Sequence, residues 1–256
     1  MPLMNRQFFI LQFLVLSVAV SGQAPQSKAE RSQDINLQKN HLYSLYYESV
    51  SVPNELINGK EYLPYFLRSD HNPMLFANEI PNATLKINGR EYRSIRLEYD
   101  TYLDEVIYTD TSRMVDNAYP RIALNKDMVD GFGVFFRGDS MIFRYVRFPG
   151  KEIDDGFFEI AYDGDTRFII RHKSSQYIFD AVKEYKYSPE RYILAGGRFH
   201  EIKSSRAFLA LFGERSGEVK AFMKGLKIKL RTADKSDMIK VVAYYDSLKK
   251  SNAGMQ

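Results

Sequence analysis

Cysteine and tryptophan are both missing from this sequence of 256 residues. Without a thiol the chain has no disulfide, no thiolate metal ligand, no cysteine nucleophile and no lipobox cysteine for acylation. Catalytic signatures are equally scarce. GxSxG, HExxH, GxGxxG and GxxxxGK[ST] do not occur, so the sequence lacks the signs of serine hydrolases, zinc peptidases, dinucleotide-binding folds and P-loops. Single-sign charge fields are lacking too. Lys and Arg number 36 against 32 Asp and Glu, interspersed along the chain, for a net charge of +4. That pattern argues against nucleic acid as a partner.

What is abundant is ring: 18 Tyr and 18 Phe. Aromatics favour pleated, half-buried surfaces, which points toward β structure. Residues 1–22, MPLMNRQFFILQFLVLSVAVSG, combine Arg6, an apolar run from Phe8 to Val20 and small residues at the end. This reads as a secretory signal, and the run is shorter than the roughly 20 apolar residues of a membrane span. Export without cysteine suggests a bacterial periplasmic or extracellular protein. The Asn82–Thr84 sequon would then go unmodified.

The polar stretch 23–40 reads as a loosely held arm. A β-rich domain follows over 41–203. In ATLKI, Ala83, Leu85 and Ile87 share a face, and after Asn88-Gly89 so do Ile95, Leu97 and Tyr99. Asn-Gly between alternating runs predicts a type I′ hairpin. EVIYTD, RIALN, FGVFF, SMIFRYVRF, GFFEIAYDG and TRFIIRHKSS continue the pattern, with turns at Arg137-Gly138-Asp139-Ser140, Asp163-Gly164-Asp165 and Gly196-Gly197. INGKEY at 57–62 returns as INGREY at 87–92. The same turn is expected at Asn58-Gly59, there ending at a sheet edge because Leu63, Pro64, Tyr65 and Phe66 break the ladder.

After Lys203 the apolar period becomes helical over 204–250, ahead of a tail at 251–256. A first helix turns Phe208, Leu211 and Phe212 inward. A second, capped by Ser216, presents Val219, Phe222, Met223 and Leu226. A third, capped by Asp234 or Ser236, presents Met238, Val241, Val242, Tyr245 and Leu248. The predicted fold is mainly β (α+β): a curved antiparallel meander or half-barrel with two to three C-terminal helices on an edge or open face.

The runs INGKEYLPYF, HNPMLF, LEYDTYLDEVIY, KGLKIKL and VVAYYDSLKK resemble a family of secreted Bacteroidota proteins to which no activity is assigned. The resemblance implies a β-rich body with a helical tail. It brings no functional residue.

Carboxylates gather at Asp100, Asp104, Glu105 and Asp110, and at Asp154, Asp155, Asp163 and Asp165. Their spacing does not match a calcium loop. A pair facing across a cleft would suit glycoside hydrolysis. The four histidines, His41, His71, His172 and His200, form no metal-binding spacing. Arg137-Gly138-Asp139-Ser140 would sit at a hairpin tip, where an RGD can engage integrins, although Gly-Asp is ordinary turn chemistry. In MIFRYVRF, alternation puts Arg144 and Arg147 on opposite faces, so neither face is a basic stripe.

No catalytic, cofactor-binding or metal-site residue is therefore assigned, and no cofactor is expected. The leading expectation is an exported, non-enzymatic binding or scaffold module of the cell envelope. Its partners would be an envelope protein, lipid or glycan, with peripheral membrane association open and nucleic acid excluded. The alternatives are a LolA-like half-barrel carrying lipid or lipoprotein tails, and a carboxylate-dependent hydrolase of envelope glycan.

Overall fold

The computed structural model describes residues 53–65, 72–76, 79–112, 114–148 and 153–253. The expected signal, the polar arm, His41, Phe66, His71 and the last three residues of the tail lie outside the described residues.

Among the described residues a single helical turn, α1 (Asn54–Ile57), is followed by thirteen strands. The first nine are β1 (Lys60–Glu61), β2 (Asn82–Ile87), β3 (Arg90–Asp100), β4 (Glu105–Thr109), β5 (Arg121–Ala123), β6 (Val129–Phe136), β7 (Asp139–Val146), β8 (Gly156–Tyr162) and β9 (Arg167–Arg171). The last four are β10 (Ser174–Phe179), β11 (Val182–Tyr187), β12 (Glu190–Ala195) and β13 (Arg198–Glu201). Eleven form one antiparallel sheet in the order β1-β5-β4-β3-β2-β6-β7-β8-β9-β12-β13, while among the described residues β10 and β11 pair only with each other. The order is two meanders set back to back. The chain steps outward from β2 to β5, returns through a 3-10 turn at Lys126–Met128, and adds β6 to the free side of β2.

Asn88 (φ 47°) and Gly89 (φ 77°) form the tight turn between β2 and β3. Positive φ at both central residues is what a type I′ hairpin requires. The same device recurs at Arg137-Gly138, Asp180-Ala181 and Gly196-Gly197. One residue of β3 breaks simple alternation. Ser94 has φ 55°, and Arg93 and Ser94 together oppose Thr84, since Leu85 pairs with Tyr92 and Ala83 with Ile95. This bulge reverses the parity of the strand, so Tyr92, Leu97 and Tyr99 all face the interior.

The sheet curls. A flat sheet would hold β3 and β8 about 19 Å apart, at roughly 4.8 Å per strand. Yet the Tyr99 ring on β3 meets Phe132, Phe143 and Phe157, with centroids at 5.6, 5.6 and 6.1 Å. Phe132 and Phe143 are stacked at 4.4 Å. Burying each ring is worth about 1.5–3 kcal/mol, and well-placed pairs add roughly 0.5–1.5. The curl stops short of closure, leaving β1 and β13 as edges.

Helices α2 (Ser205–Ala210), α3 (Ser216–Gly225) and α4 (Lys235–Ala253) cover one face at the β8-β9-β12 end. Phe208, Phe212, Val219, Met223, Met238, Val241 and Val242 bury against Phe168, Ile170 and Ile193. Ser204 caps α2, accepting from Ala207 N at 3.2 Å, and Asp234 caps α4, accepting from Asp237 N at 2.8 Å. Ser216 does not cap α3. A 3-10 turn at Gly213–Arg215 runs directly into that helix, so Ser216 is already inside it, and Leu226 is 50% exposed just past its end. Helix α4 also continues three residues beyond 250. Among the described residues no helix is long and apolar enough to cross a membrane.

Two other segments depart from expectation. TRFIIRHKSS is not one strand: β9 stops at Arg171, and Ser174 turns away to donate from its backbone to Thr101 O at 3.1 Å. Ser188 N to Lys173 O, 2.8 Å, closes the base of the β10–β11 hairpin, and β12 pairs with β9 beneath it. The Asp163–Asp165 segment joins β8 to β9 without a left-handed residue. It is held from α4, where Asp246 Oδ2 accepts from Thr166 N at 3.0 Å.

The first Asn-Gly pair corrects the idea of one turn used twice. Asn58 ends α1 with φ −84°, outside the left-handed region. Gly59 is needed for a different reason: a Cβ there would lie 2.3 Å from the Ala123 carbonyl oxygen. The pair delivers the chain to β1, which does lie on the sheet edge.

Candidate functional site

The first carboxylate cluster is consumed by the fold. Asp100 is fully buried; its Oδ2 accepts from Tyr62 and Tyr65 hydroxyls at 2.9 and 2.6 Å, and its Oδ1 from the N–H groups of Tyr102 and Leu103 at 2.9 and 3.0 Å. Burial first, and then the Asp100 charge and hydrogen bonds, push both phenols well above the ordinary tyrosine value. Asp104 accepts from the Tyr99 hydroxyl at 2.6 Å and from Lys126 at 2.9 Å. Glu105 pairs with Lys60 at 2.5 Å, and Asp110 accepts from the Ser112 hydroxyl at 2.6 Å.

In the second cluster Asp155 accepts from Phe148 N at 2.8 Å, Asp163 pairs with Arg167 at 2.5 Å, and Asp154 lies 3.8 Å from Arg171. Asp165 is exposed. Among the described residues no three His, Asp or Glu side chains are grouped to hold a metal.

Arg137 and Gly138 do form a hairpin tip, but both charges of the RGD are engaged. Arg137 pairs with Glu79 at 2.5 Å, and Asp139 binds Lys235. The alternation of MIFRYVRF also holds: Phe143 is buried inside the curl, while Ile142 and Arg144 face outward.

A polar array that the sequence did not announce lies between the curl and the helices. On β8, Phe157 belongs to the aromatic interior and Ala161 packs under the helices, with Glu159 between them. Glu159 is 1% exposed; Oε2 is 2.8 Å from His172 Nε2 and Oε1 is 2.7 Å from Lys235 Nζ. His172 Nδ1 is 2.6 Å from the Tyr187 hydroxyl. Burial would raise the Glu159 carboxyl, but the hydrogen bonds and charges of His172 and Lys235 outweigh it and hold it below its ordinary value. Burial, reinforced by the Glu159 charge, pushes Tyr187 up to about 12. An activated nucleophile needs the opposite shift, and the array ties β8, the segment after β9, β11 and α4 together.

The open candidate is on the outer face of the sheet. Lys86 on β2 pairs with Gly131 on β6, which pairs with Arg144 on β7. In the next row Thr84, Gly133 and Ile142 are neighbours, and in the third Phe135 pairs with Ser140 beside Asn82. The central strand therefore carries a buried glycine, a partly exposed one and then a ring 69% exposed. The result is a trench of two adjoining depressions, about 500 and 410 Å³, sharing Thr84, Gly133 and Ile142.

The two glycines have different causes. At Gly131 a Cβ would meet the Phe143 carbonyl oxygen at 2.3 Å, so the close strand approach demands glycine. At Gly133 the nearest atom would be 3.8 Å away and φ is not left-handed, so the fold asks for neither space nor unusual backbone. Glycine inside a strand costs about 0.5–1 kcal/mol relative to alanine, and here the cost leaves an open floor. The alternation of Gly131 and Gly133 is visible in GFGVFF, but only strand pairing shows what stands on either side.

No protein family, curated protein or solved structure matched the chain on comparison.

Proposed function

We propose that this is an exported, non-enzymatic envelope protein that binds its partner through the outer face of its curled sheet. The observation that carries the reading is Gly133, a mid-strand glycine required by neither backbone nor packing, at the floor of an open trench. Proteins place glycine in a strand where another molecule approaches closely. The signal-like N-terminus and the resemblance to secreted Bacteroidota proteins support export.

The two alternatives draw less support. A carrier of LolA type needs an internal cavity, and the interior of the curl is occupied by the Tyr99, Phe132, Phe143 and Phe157 rings. A hydrolase needs two available carboxyls, and Asp100 and Asp104 are each satisfied by internal donors.

The test is affinity capture from envelope extract with the wild-type chain and with Gly133→Val, which fills the trench. The reading predicts material retained by the wild type and lost with the variant. Identical capture by both would overturn it.

A further inference from the structure

We infer that the trench is a subsite for an acidic polysaccharide, seating a uronic acid carboxylate between Lys86 and Arg144 and a sugar ring against Phe135; this rests on the binding reading above.

Charge fixes one end. Lys86 and Arg144 are exposed on either side of Gly131, about two strand spacings or roughly 10 Å apart. Neither cation has an ion pair among the described residues. Two acids line the same depression, Glu91, tied to Arg93 at 2.5 Å, and Asp130, which accepts from Gly89 N at 2.7 Å; with Arg93 the cations here outnumber the acids three to two. Lys86 and Arg144 flank Gly131, which is itself buried, and a carboxylate can sit between their exposed heads, where the arginine fork matches it in two contacts.

The other end is fixed by shape. From Gly131 to Phe135 the trench runs roughly 13 Å, at about 3.3 Å per residue, long enough for more than one hexose ring. Over Gly133 a flat ring can lie against the backbone, walled by Ile142, which is 52% exposed, and by the Thr84 hydroxyl. The C–H face of a pyranose covers an aromatic ring such as Phe135, and its equatorial hydroxyls reach sideways to Thr84, Asn82 and Ser140.

A peptide strand fits less well. Strand β6 is paired on both sides, with β2 and β7, so no open edge lies in the trench to extend the sheet. A nucleic acid would call for a longer track of cations.

Binding of trigalacturonate, its neutral counterpart galactotriose and an acidic hexapeptide to the full chain, read by calorimetry at low and high salt, tests the assignment. Trigalacturonate should bind at least tenfold more tightly than either competitor, and weaken as salt rises. Arg144→Gln and Lys86→Gln should each cost about tenfold for the acidic sugar and leave galactotriose unchanged. Phe135→Ala should weaken both sugars. Gly133→Val should abolish binding without lowering the melting temperature; Phe135 and Arg144, being exposed, carry the test if that variant fails to fold. Equal affinity for acidic and neutral sugar, or preference for the peptide, overturns the ligand assignment. If trench-dependent capture from envelope extract persists in that case, the binding reading survives; if it too is absent, both fall.

Discussion

Lys235, in the first turn of α4, donates to Glu159 on β8 at 2.7 Å, so the last helix is pinned to the sheet by a charge that water scarcely reaches. Because the Glu159 carboxyl titrates below its ordinary value near 4.5, its contribution to stability is full above that pH and is lost as pH falls through the lower, folded value. Glu159→Gln should lower stability at neutral pH by about 1–3 kcal/mol, since Lys235 is partly exposed and keeps Asp139 as a partner. It should also flatten the acid limb. Urea denaturation between pH 3 and 8 measures both; an unchanged acid limb would show that another carboxylate controls it.

Asp100→Ala leaves two phenols and two backbone N–H groups without their acceptor. At about 1–3 kcal/mol for each buried group left unpaired, the loss should reach at least about 3 kcal/mol. The raised Tyr62 and Tyr65 values add a second readout. Folding holds these protons, so stability falls as pH rises past the ordinary tyrosine value near 10, and their absorbance should appear only with unfolding. The wild type ionising all its tyrosines while still folded would contradict this.

The two Asn-Gly pairs should fail differently. Gly89→Ala places a side chain at φ 77° and should cost about 1–2 kcal/mol of global stability. Gly59→Ala drives a methyl into the Ala123 carbonyl. It should release the β1 edge, seen as lost hydrogen-exchange protection at Tyr62, whose amide donates to Arg121 O at 2.8 Å. Similar protection maps for the two variants would refute separate causes.

The RGD should be inert in adhesion. Asp139→Asn removes the acidic group of the motif, so cell attachment should match wild type, while stability falls by less than about 1 kcal/mol through loss of the partly exposed Lys235 contact. Integrin-dependent attachment abolished by the substitution would restore the adhesion idea.

Much of this was readable beforehand because it is locally dictated. Asn88-Gly89 turns because alternating strands flank it on both sides, which Asn58-Gly59 lacks, and Asp234 starts a helix through its own side chain. Alternation correctly sorted Phe143 from Arg144. What stayed hidden depends on partners distant in sequence. Asp180-Ala181 turns a hairpin without any glycine to announce it, and the break after Arg171 shows only in the bond from Ser174 N to Thr101 O, far back in the chain. Glu159 and His172 sit on different elements, thirteen positions apart, and Lys235 comes from a helix far downstream. The trench needed the register of three strands before Lys86, Gly133 and Arg144 could be seen on one surface.

The polar array at Glu159 also divides the interior. Phe157 below it belongs to one apolar cluster and Ala161 above it to another, so the helices share little oil with the curl. Cores kept apart in this way open as separate foldons. The three helices should form a unit that detaches as a body, at a free energy below global unfolding and more readily in acid, while the curled sheet stays shut. Native-state hydrogen exchange would then show amides of 205–253 opening together ahead of β2, β3 and β6, with the trench intact on a molecule that has shed its cap.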